Sequence, residues 1–252
     1  MEVLVFAGTI EGRQLVEWLD ARGCHVVACV ATDYGASLLP AGGRVTCLQG
    51  PLSGQEKLRL VGEHDFCCIV DATHPYAQHI TQSVADLGSA CGLPVIRVLR
   101  EDGVDDAGGE HVADAQDAAA LLAQTEGNVL LTTGSKDLKV YVQALADAAQ
   151  RLYVRILPLA SAVDHALELG IPASHLIAMQ GPFSQELNEA LMRQLDIRVL
   201  VTKQSGSSGG FAEKVAAARA CQARLIVIDR PQEHGGVSLA QAQALLEERY
   251  GC

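Results

Sequence analysis

The stretch EVLVFAGTIEGRQL, residues 2–15, decides the fold class. It opens with an apolar run typical of a buried strand, and Gly8 and Thr9 then lead into a helical pattern. A strand that enters a helix through a glycine turn is how a dinucleotide-binding domain begins. The usual G-x-G-x-x-G fingerprint is absent, because Ile10 and Arg13 stand where two of its glycines are expected. The turn can still offer backbone N–H groups and a helix N-terminus to a pyrophosphate.

Strand and helix patterns alternate along nearly the whole chain of 252 residues. Apolar runs typical of strands lie at 2–7, 25–31, 44–48, 65–73, 94–99, 128–133, 153–158, 176–180, 197–202 and 224–229. The polar, glycine-rich stretch 100–111 separates two series of them and is typical of a linker. Strands that are apolar on both faces and joined by helices predict parallel sheets covered by helices. We therefore predict an α/β fold of two doubly wound, Rossmann-like domains, residues 1–102 and 112–252, with the ligand cleft between them.

The composition argues against several classes of function. A net charge of −11 disfavours nucleic-acid binding, which needs dense clusters of Lys and Arg. No apolar run approaches the length of a membrane span and no signal peptide is recognisable, so we expect a cytoplasmic protein without a membrane partner. The eight cysteines form no C-x-x-C pair, and only His74 and His79 among the eight histidines are closely spaced. We expect free thiols and no metal site.

Polar residues collect where the predicted strands end, which is the ligand-binding edge of a doubly wound domain. These ends carry the sequences GTIEGR (8–13), TDYG (32–35), DATHPY (71–76), TTGSK (132–136), QGPFS (180–184) and TKQSG (202–206). Hydroxyls, glycines and cations recur at nearly every one of them. A purely structural α/β protein does not explain that regularity.

Taken in order, the loops GT-x-EGR, DATHPYA, TTGSKDL, QGPFS and VTK-x-SG-x-x-GG resemble the precorrin-6A reductase family of cobalamin biosynthesis. The resemblance runs along nearly the whole chain. It implies NADPH-dependent reduction of precorrin-6A, or of its cobalt complex, to the dihydro form by hydride transfer to the macrocycle. It also implies a tetrapyrrole as the partner molecule, and transient contact with neighbouring enzymes of the pathway is a further expectation. Whether the natural substrate contains cobalt stays open, because that metal belongs to the ligand.

The resemblance and the chemistry of the loops together assign roles to single residues. The expected cofactor-binding residues are Gly8, Thr9, Glu11, Gly12, Thr32, Asp71, Ala72, Thr73 and His74. The expected substrate-binding residues, chosen because cations and hydroxyls suit carboxylate arms, are Arg13, Ser135, Lys136, Lys203, Ser205 and Gly206. The proton that follows the hydride would come from His74, Tyr76 or water, so these two side chains are the catalytic candidates. Arg13 could instead reach the cofactor pyrophosphate, and the sequence leaves its two roles open.

Two positions depart from the family pattern. Asp33 directly follows Thr32, and a carboxylate aimed at the cofactor's 2′-phosphate would repel it, so a preference for NADH stays an alternative. Arg100-Glu101-Asp102 stands where the family tends to have Arg-Pro and an aromatic residue.

Two other functions stay in view. One is a two-domain sensor that binds a dinucleotide or an anion without catalysis. The other is an oxidoreductase similar to the short-chain dehydrogenases. The latter needs a T-G-x-x-x-G-x-G loop and a Tyr-x-x-x-Lys pair, and none of the five tyrosines has a lysine four residues on.

Overall fold

The computed structural model describes residues 1–40, 42–99, 108–204, 210–231 and 235–251. The chain forms two compact units, of which unit 1 comprises Met1–Glu101 with Gln232–Cys252 and unit 2 comprises Asp102–Pro231. Each unit contains one sheet, and every strand pair in both sheets is parallel. The predicted α/β class with two Rossmann-like units is confirmed.

The described residues of unit 1 before residue 100 form five strands and four helices. The strands are β1 (Glu2–Ala7), β2 (His25–Val30), β3 (Val45–Gln49), β4 (Phe66–Ala72) and β5 (Val95–Arg97). The helices are α1 (Ile10–Ala21), α2 (Asp33–Ser37), α3 (Gly54–Gly62) and α4 (Gln78–Cys91). The strand order β3-β2-β1-β4-β5 reverses direction between β1 and β4. That reversal is the topological switch point at which doubly wound sheets bind ligands.

The described part of unit 2 contains six strands and six α-helices. The strands are β6 (Glu110–Val112), β7 (Asn128–Leu131), β8 (Leu152–Ile156), β9 (Leu176–Ala178), β10 (Ile197–Lys203) and β11 (Arg224–Ile228). The helices are α5 (Ala115–Leu122), α6 (Leu138–Ala144), α7 (Ala148–Arg151), α8 (Ala160–Glu168), α9 (Gln185–Gln194) and α10 (Phe211–Ala220), with a short 3-10 helix at Ala173–His175. The order β6-β11-β10-β7-β8-β9 places its switch point between β10 and β7. Glu110 and His111, which the sequence analysis assigned to the linker, belong to the edge strand β6.

The sheet of unit 1 has an apolar core on each face, because alternate side chains of a strand point to opposite sides. Val3 and Val5 of β1 pack in the cluster that includes Leu15 and Leu19 of α1. Leu4 and Phe6 point the other way, into a cluster that includes Val84 and Leu87 of α4. This burial on both faces explains why the strand reads as one continuous apolar run.

The last helix, α11 (Leu239–Tyr250), corrects the predicted domain boundary. The sequence analysis assigned all of 112–252 to the second domain, whereas Gln232–Cys252 belongs to unit 1. Ala242 and Leu246 are fully buried in the same core cluster as Leu15, and Val237 forms a parallel bridge with Val98 of unit 1. An alternating pattern predicts that an apolar helix face is covered but not which sheet covers it.

Within the described ranges, no helix combines the length and the apolar character that crossing a bilayer would require.

Candidate functional site

The turn between β1 and α1 is fixed against the end of β4. The backbone N–H of Gly8 donates to the carbonyl oxygen of Ala72 over 3.0 Å. Thr9 is the N-cap of α1, where its Oγ1 accepts from the N–H of Gly12 and donates to Ala72 O, each over 3.1 Å. This one hydroxyl therefore stabilises the first turn of α1 and ties it to the neighbouring strand. Four predicted cofactor residues meet at this point.

Glycine is favoured at two positions of this turn because β4 approaches the backbone closely there. A Cβ on Gly12 would lie 3.0 Å from the Cβ of Ala72 and 3.2 Å from the Cα of Ala7. A Cβ on Gly8 would lie 3.3 Å from the Cα of Thr73. Both glycines let α1 begin directly beside the sheet, although the usual fingerprint spacing is missing. The first turn of a helix carries N–H groups without intrahelical acceptors, and these are the groups that a pyrophosphate can bind.

Thr32 follows β2 and caps the short helix α2, where its Oγ1 accepts from the N–H of Gly35 over 3.1 Å. Asp33 comes next and is exposed in the first turn of α2. Within the described ranges, its carboxylate makes neither a hydrogen bond nor an ion pair. Asp33 is the position at which the sequence analysis left NADH open as an alternative to NADPH.

The carboxylate of Asp71 is buried and held by protein groups. It accepts from the N–H and the Oγ1 of Thr73 over 3.1 and 2.7 Å, and its Oδ1 lies 2.9 Å from Nη1 of Arg97. The same Nη1 lies 3.1 Å from the carbonyl oxygen of Thr73. Asp71 and Thr73 therefore shape the loop after β4 from the inside. The sequence analysis did not predict a role for Arg97. It could have been found as the one cation in the apolar run of β5, because β5 pairs with the strand that carries Asp71.

His74 and Tyr76 follow in the same loop, and their rings stack with centroids 5.4 Å apart. The N–H of Tyr76 donates to Nδ1 of His74 over 3.4 Å. Because Nδ1 accepts this hydrogen bond, a neutral His74 ring carries its proton on Nε2. Both side chains are half-buried, so the two catalytic candidates form one pair directly after Thr73.

The first of the predicted substrate cations, Arg13, lies in α1. Its Nε is 3.5 Å from Oε1 of Glu17, and it makes no hydrogen bond with any described residue although the atom is buried. The contact with Glu17 is thus a loose ion pair. Glu11, a predicted cofactor residue, is half-buried in the same first turn.

The predicted substrate residues of unit 2 divide into two groups. Lys136 is exposed and Ser135 is half-buried, in the loop that follows β7. Lys203, at the end of β10, has its Nζ 2.7 Å from Oδ2 of Asp137, so its charge is already paired. This pair joins the Lys136 loop to the end of β10. Ser205 and Gly206, and the departure at residues 100–102, lie outside the described residues.

Two buried cations of unit 2 were not predicted from the sequence. Arg155 of β8 donates from Nη1 to Oδ1 of Asn188 over 2.7 Å and lies 4.2 Å from the centre of the Phe183 ring. Lys214 of α10 is buried as well. Its signal was its place on the apolar stripe of α10, three residues after the buried Phe211. Among the described residues, no group of three or more His, Cys, Asp or Glu side chains could hold a metal ion.

Comparisons with known proteins agree with this architecture. A family model described as precorrin-6x reductase CbiJ/CobK matches residues 2–247. A cobalt-precorrin-6A reductase of Priestia megaterium is 34% identical over 240 residues, covering 93% of each chain. A precorrin-6A reductase of Rhodococcus erythropolis is 37% identical over 235 residues, covering 91% of this chain and 89% of its own.

The solved structure of a CobK precorrin-6A reductase matches with a TM-score of 0.78, covering 100% of this chain and 98% of that chain. At 22% identity this match bears on the fold alone. The family model and the relatives confirm the resemblance carried by the loops. The chain therefore belongs to the precorrin-6x reductase family, oxidoreductases of cobalamin biosynthesis.

Proposed function

We propose that the chain reduces precorrin-6A, or its cobalt complex, to the dihydro form, with NADPH as the hydride donor that the resemblance implies. The observation that carries the proposal is the turn after β1, which Gly8, Thr9 and Gly12 hold against Ala72. A helix N-terminus with backbone N–H donors, capped by a threonine and closely packed through two glycines at the switch point, fits the pyrophosphate of a dinucleotide.

Each half of the cofactor has residues suited to it. The pyrophosphate would bind the N–H groups at the first turn of α1, and the adenosine ribose would lie near Thr32. His74 and Tyr76 would lie beside the nicotinamide, on a loop that Asp71 and Arg97 stabilise from within. The reduced nicotinamide supplies the hydride, so the protein mainly has to position the two reactants and exclude water.

The carboxylate arms of the tetrapyrrole would bind the cations of unit 2. Lys136 is exposed and lies beside Ser135, which makes it the most accessible of them. Lys203 is already paired with Asp137, so it contributes less net charge to a ligand. Ser205 and Gly206 keep the same role on sequence grounds. Arg13 stays assigned to an arm or to the pyrophosphate.

The proton that must follow the hydride can come from His74, because its Nε2 carries the proton when Nδ1 accepts from Tyr76. A pH–rate profile that is flat across neutral pH would eliminate His74 and leave Tyr76 or water.

The test is anaerobic incubation with precorrin-6A, with and without cobalt, and with NADPH or NADH in separate reactions. We expect oxidation of the nicotinamide that depends on the tetrapyrrole, and a product heavier by two hydrogen atoms. Tight binding of a dinucleotide without any reduction would support the sensor instead. The ratio of kcat/KM for the two cofactors decides what Asp33 does.

A further inference from the structure

Strand β4 carries two adjacent cysteines, Cys67 and Cys68, at a point where its pairing with β1 is irregular. Glu2 pairs with Phe66 and Val3 pairs with Cys68, so the register skips Cys67. One strand thus contributes an extra residue to the ladder, which is what defines a β-bulge. The bulge lies near the start of β4, at the end of the strand opposite to the turn that contacts the β1–α1 connection.

The bulge brings both cysteine side chains to the same face of the sheet. In a regular strand, neighbouring side chains point to opposite faces. Here Phe66 and Ile69 pack in the core cluster on the α4 side, whereas Cys67 and Cys68 both pack in the cluster on the α1 side. Their sulfur atoms lie 3.9 Å apart. Two thiols that a regular strand would separate are therefore direct neighbours.

The two thiols differ in exposure and in acidity. Cys67 is half-buried, and its Sγ lies 3.2 Å from the carbonyl oxygen of Glu2, whereas Cys68 is fully buried. The hydrogen bond with the Cys68 thiol is the largest influence on Cys67 and lowers its pKa to about 7, against the opposing effect of burial. The thiolate is the form of cysteine that attacks an oxidant. Cys67 is therefore the nucleophile of the pair, and Cys68 is the second thiol within its reach.

We propose that Cys67 and Cys68 are a modification site at which a hydroperoxide oxidises the two neighbouring thiols to a disulfide. The Cys67 thiolate attacks one oxygen of the hydroperoxide and the O–O bond breaks. Cys67 becomes a sulfenic acid, and the other oxygen takes up a proton and leaves as water or an alcohol. The Cys68 thiol then attacks the Cys67 sulfur, so that the S–S bond forms, the S–O bond breaks and water leaves. The two thiols give up two electrons in total, and these reduce the hydroperoxide.

The disulfide should be reduced readily by added thiols. Neighbouring Cα atoms are about 3.8 Å apart across a trans peptide, whereas the Cα atoms that a disulfide joins are usually about 4.4–6.8 Å apart. A disulfide between Cys67 and Cys68 is therefore strained, and strained disulfides have the more oxidising potentials of labile and regulatory bonds. This makes the modification reversible. The proposal needs no tetrapyrrole or nicotinamide and so does not rest on the proposed function.

Mass spectrometry tests the proposal on the full chain. The reduced protein is treated with a small excess of hydrogen peroxide, its remaining thiols are alkylated in denaturant, and it is then digested. We expect the peptide that contains Cys67 and Cys68 to lose two hydrogen atoms and to carry no alkyl group, and dithiothreitol should restore both alkylation sites. A peptide that still takes up two alkyl groups, whether or not the exposed Cys47 is oxidised, overturns the proposal, as does one joined to another cysteine peptide.

Single substitutions separate the roles of the two thiols. In Cys68→Ala the disulfide should be lost, and Cys67 should carry a sulfenic acid that dimedone traps. In Cys67→Ala the buried Cys68 should remain a thiol. Cys47→Ala is the matched control, and it should leave the yield of the disulfide unchanged. Dimedone labelling of Cys68 in Cys67→Ala without labelling of Cys67 in Cys68→Ala would contradict the assignment of the nucleophile, and loss of the disulfide in the control would contradict the pairing.

Discussion

Replacing Lys214 by methionine should change how the stability of the protein depends on pH. Methionine is unbranched, flexible and apolar, so it can fill the space of the lysine stem without a charge. The pKa of Lys214 falls from 10.5 in the unfolded chain to about 7 in the folded protein. Because one pKa unit corresponds to about 1.4 kcal/mol, the buried ammonium destabilises the protein by at most about 5 kcal/mol below pH 7.

The sign follows from proton binding. Between pH 7 and pH 10.5 the unfolded chain binds the proton of Lys214 and the folded protein does not, so the stability of the wild type rises with pH. The methionine variant lacks this contribution. Its advantage over the wild type is therefore greatest below pH 7 and should shrink by about 1.4 kcal/mol for each pH unit above it.

Urea denaturation of both proteins at pH 6.5, 7.5, 8.5 and 9.5 measures this difference, and effects of all other titrating groups cancel in it. Lys139→Met is the matched control, because Lys139 is an exposed lysine of α6 in the same unit. The control should differ from the wild type by the same amount at every pH. A difference for Lys214→Met that is equally flat would refute the reasoning, since the amine would then be protonated alike in both states.

Three further changes test the proposed site. Gly12→Ala should lower the free energy of unfolding by about 1–3 kcal/mol, because the new Cβ would lie 3.0 Å from Ala72 Cβ. The control is Gly62→Ala, whose Cβ meets nothing within 4 Å and which should not lower the stability. Equal Tm values for the two variants would contradict this prediction. Asp33→Asn should raise kcat/KM for NADPH relative to NADH by about fivefold. This factor is the equivalent of about 1 kcal/mol, the energy of one charge pair in water. An unchanged ratio would mean that the carboxylate does not face the 2′-phosphate. Lys136→Ala should raise the KM for the tetrapyrrole by roughly 10- to 100-fold, which corresponds to about 1.5–3 kcal/mol. The KM for the nicotinamide cofactor should not change. The control is Lys139→Ala, which should change neither KM.

The sequence predicts those features that follow from a strand ending. Gly8 and Ala72 stand at the ends of two apolar runs, and the ends of neighbouring parallel strands share one edge, so their contact follows once β1 and β4 are adjacent. The position of α11 cannot be predicted this way, because an apolar helix stripe fits the face of either sheet. Lys214 was missed for a related reason: a single charged residue within an alanine-rich helix is usually exposed, and its place on the apolar stripe of α10 indicates burial only once the packing of that helix is known.

The same difference between local pattern and packing separates Arg97 from Lys214, two of the three cations that the sequence analysis overlooked. Arg97 has Asp71 as its counter-ion and Thr73 as a further acceptor, so its charge is satisfied inside the protein and its role is to hold the loop before His74. Lys214 has neither among the described residues, and a neighbouring guanidinium adds to its penalty. A stable fold gains nothing from an amine placed there, because an apolar side chain of similar size would be less costly. The folded protein relieves this penalty by releasing the proton of Lys214 above pH 7, whereas the charge of Arg97 is compensated at its site. That asymmetry makes Arg97 part of the architecture of the loop, and it makes Lys214 the group through which the stability of unit 2 should depend on pH.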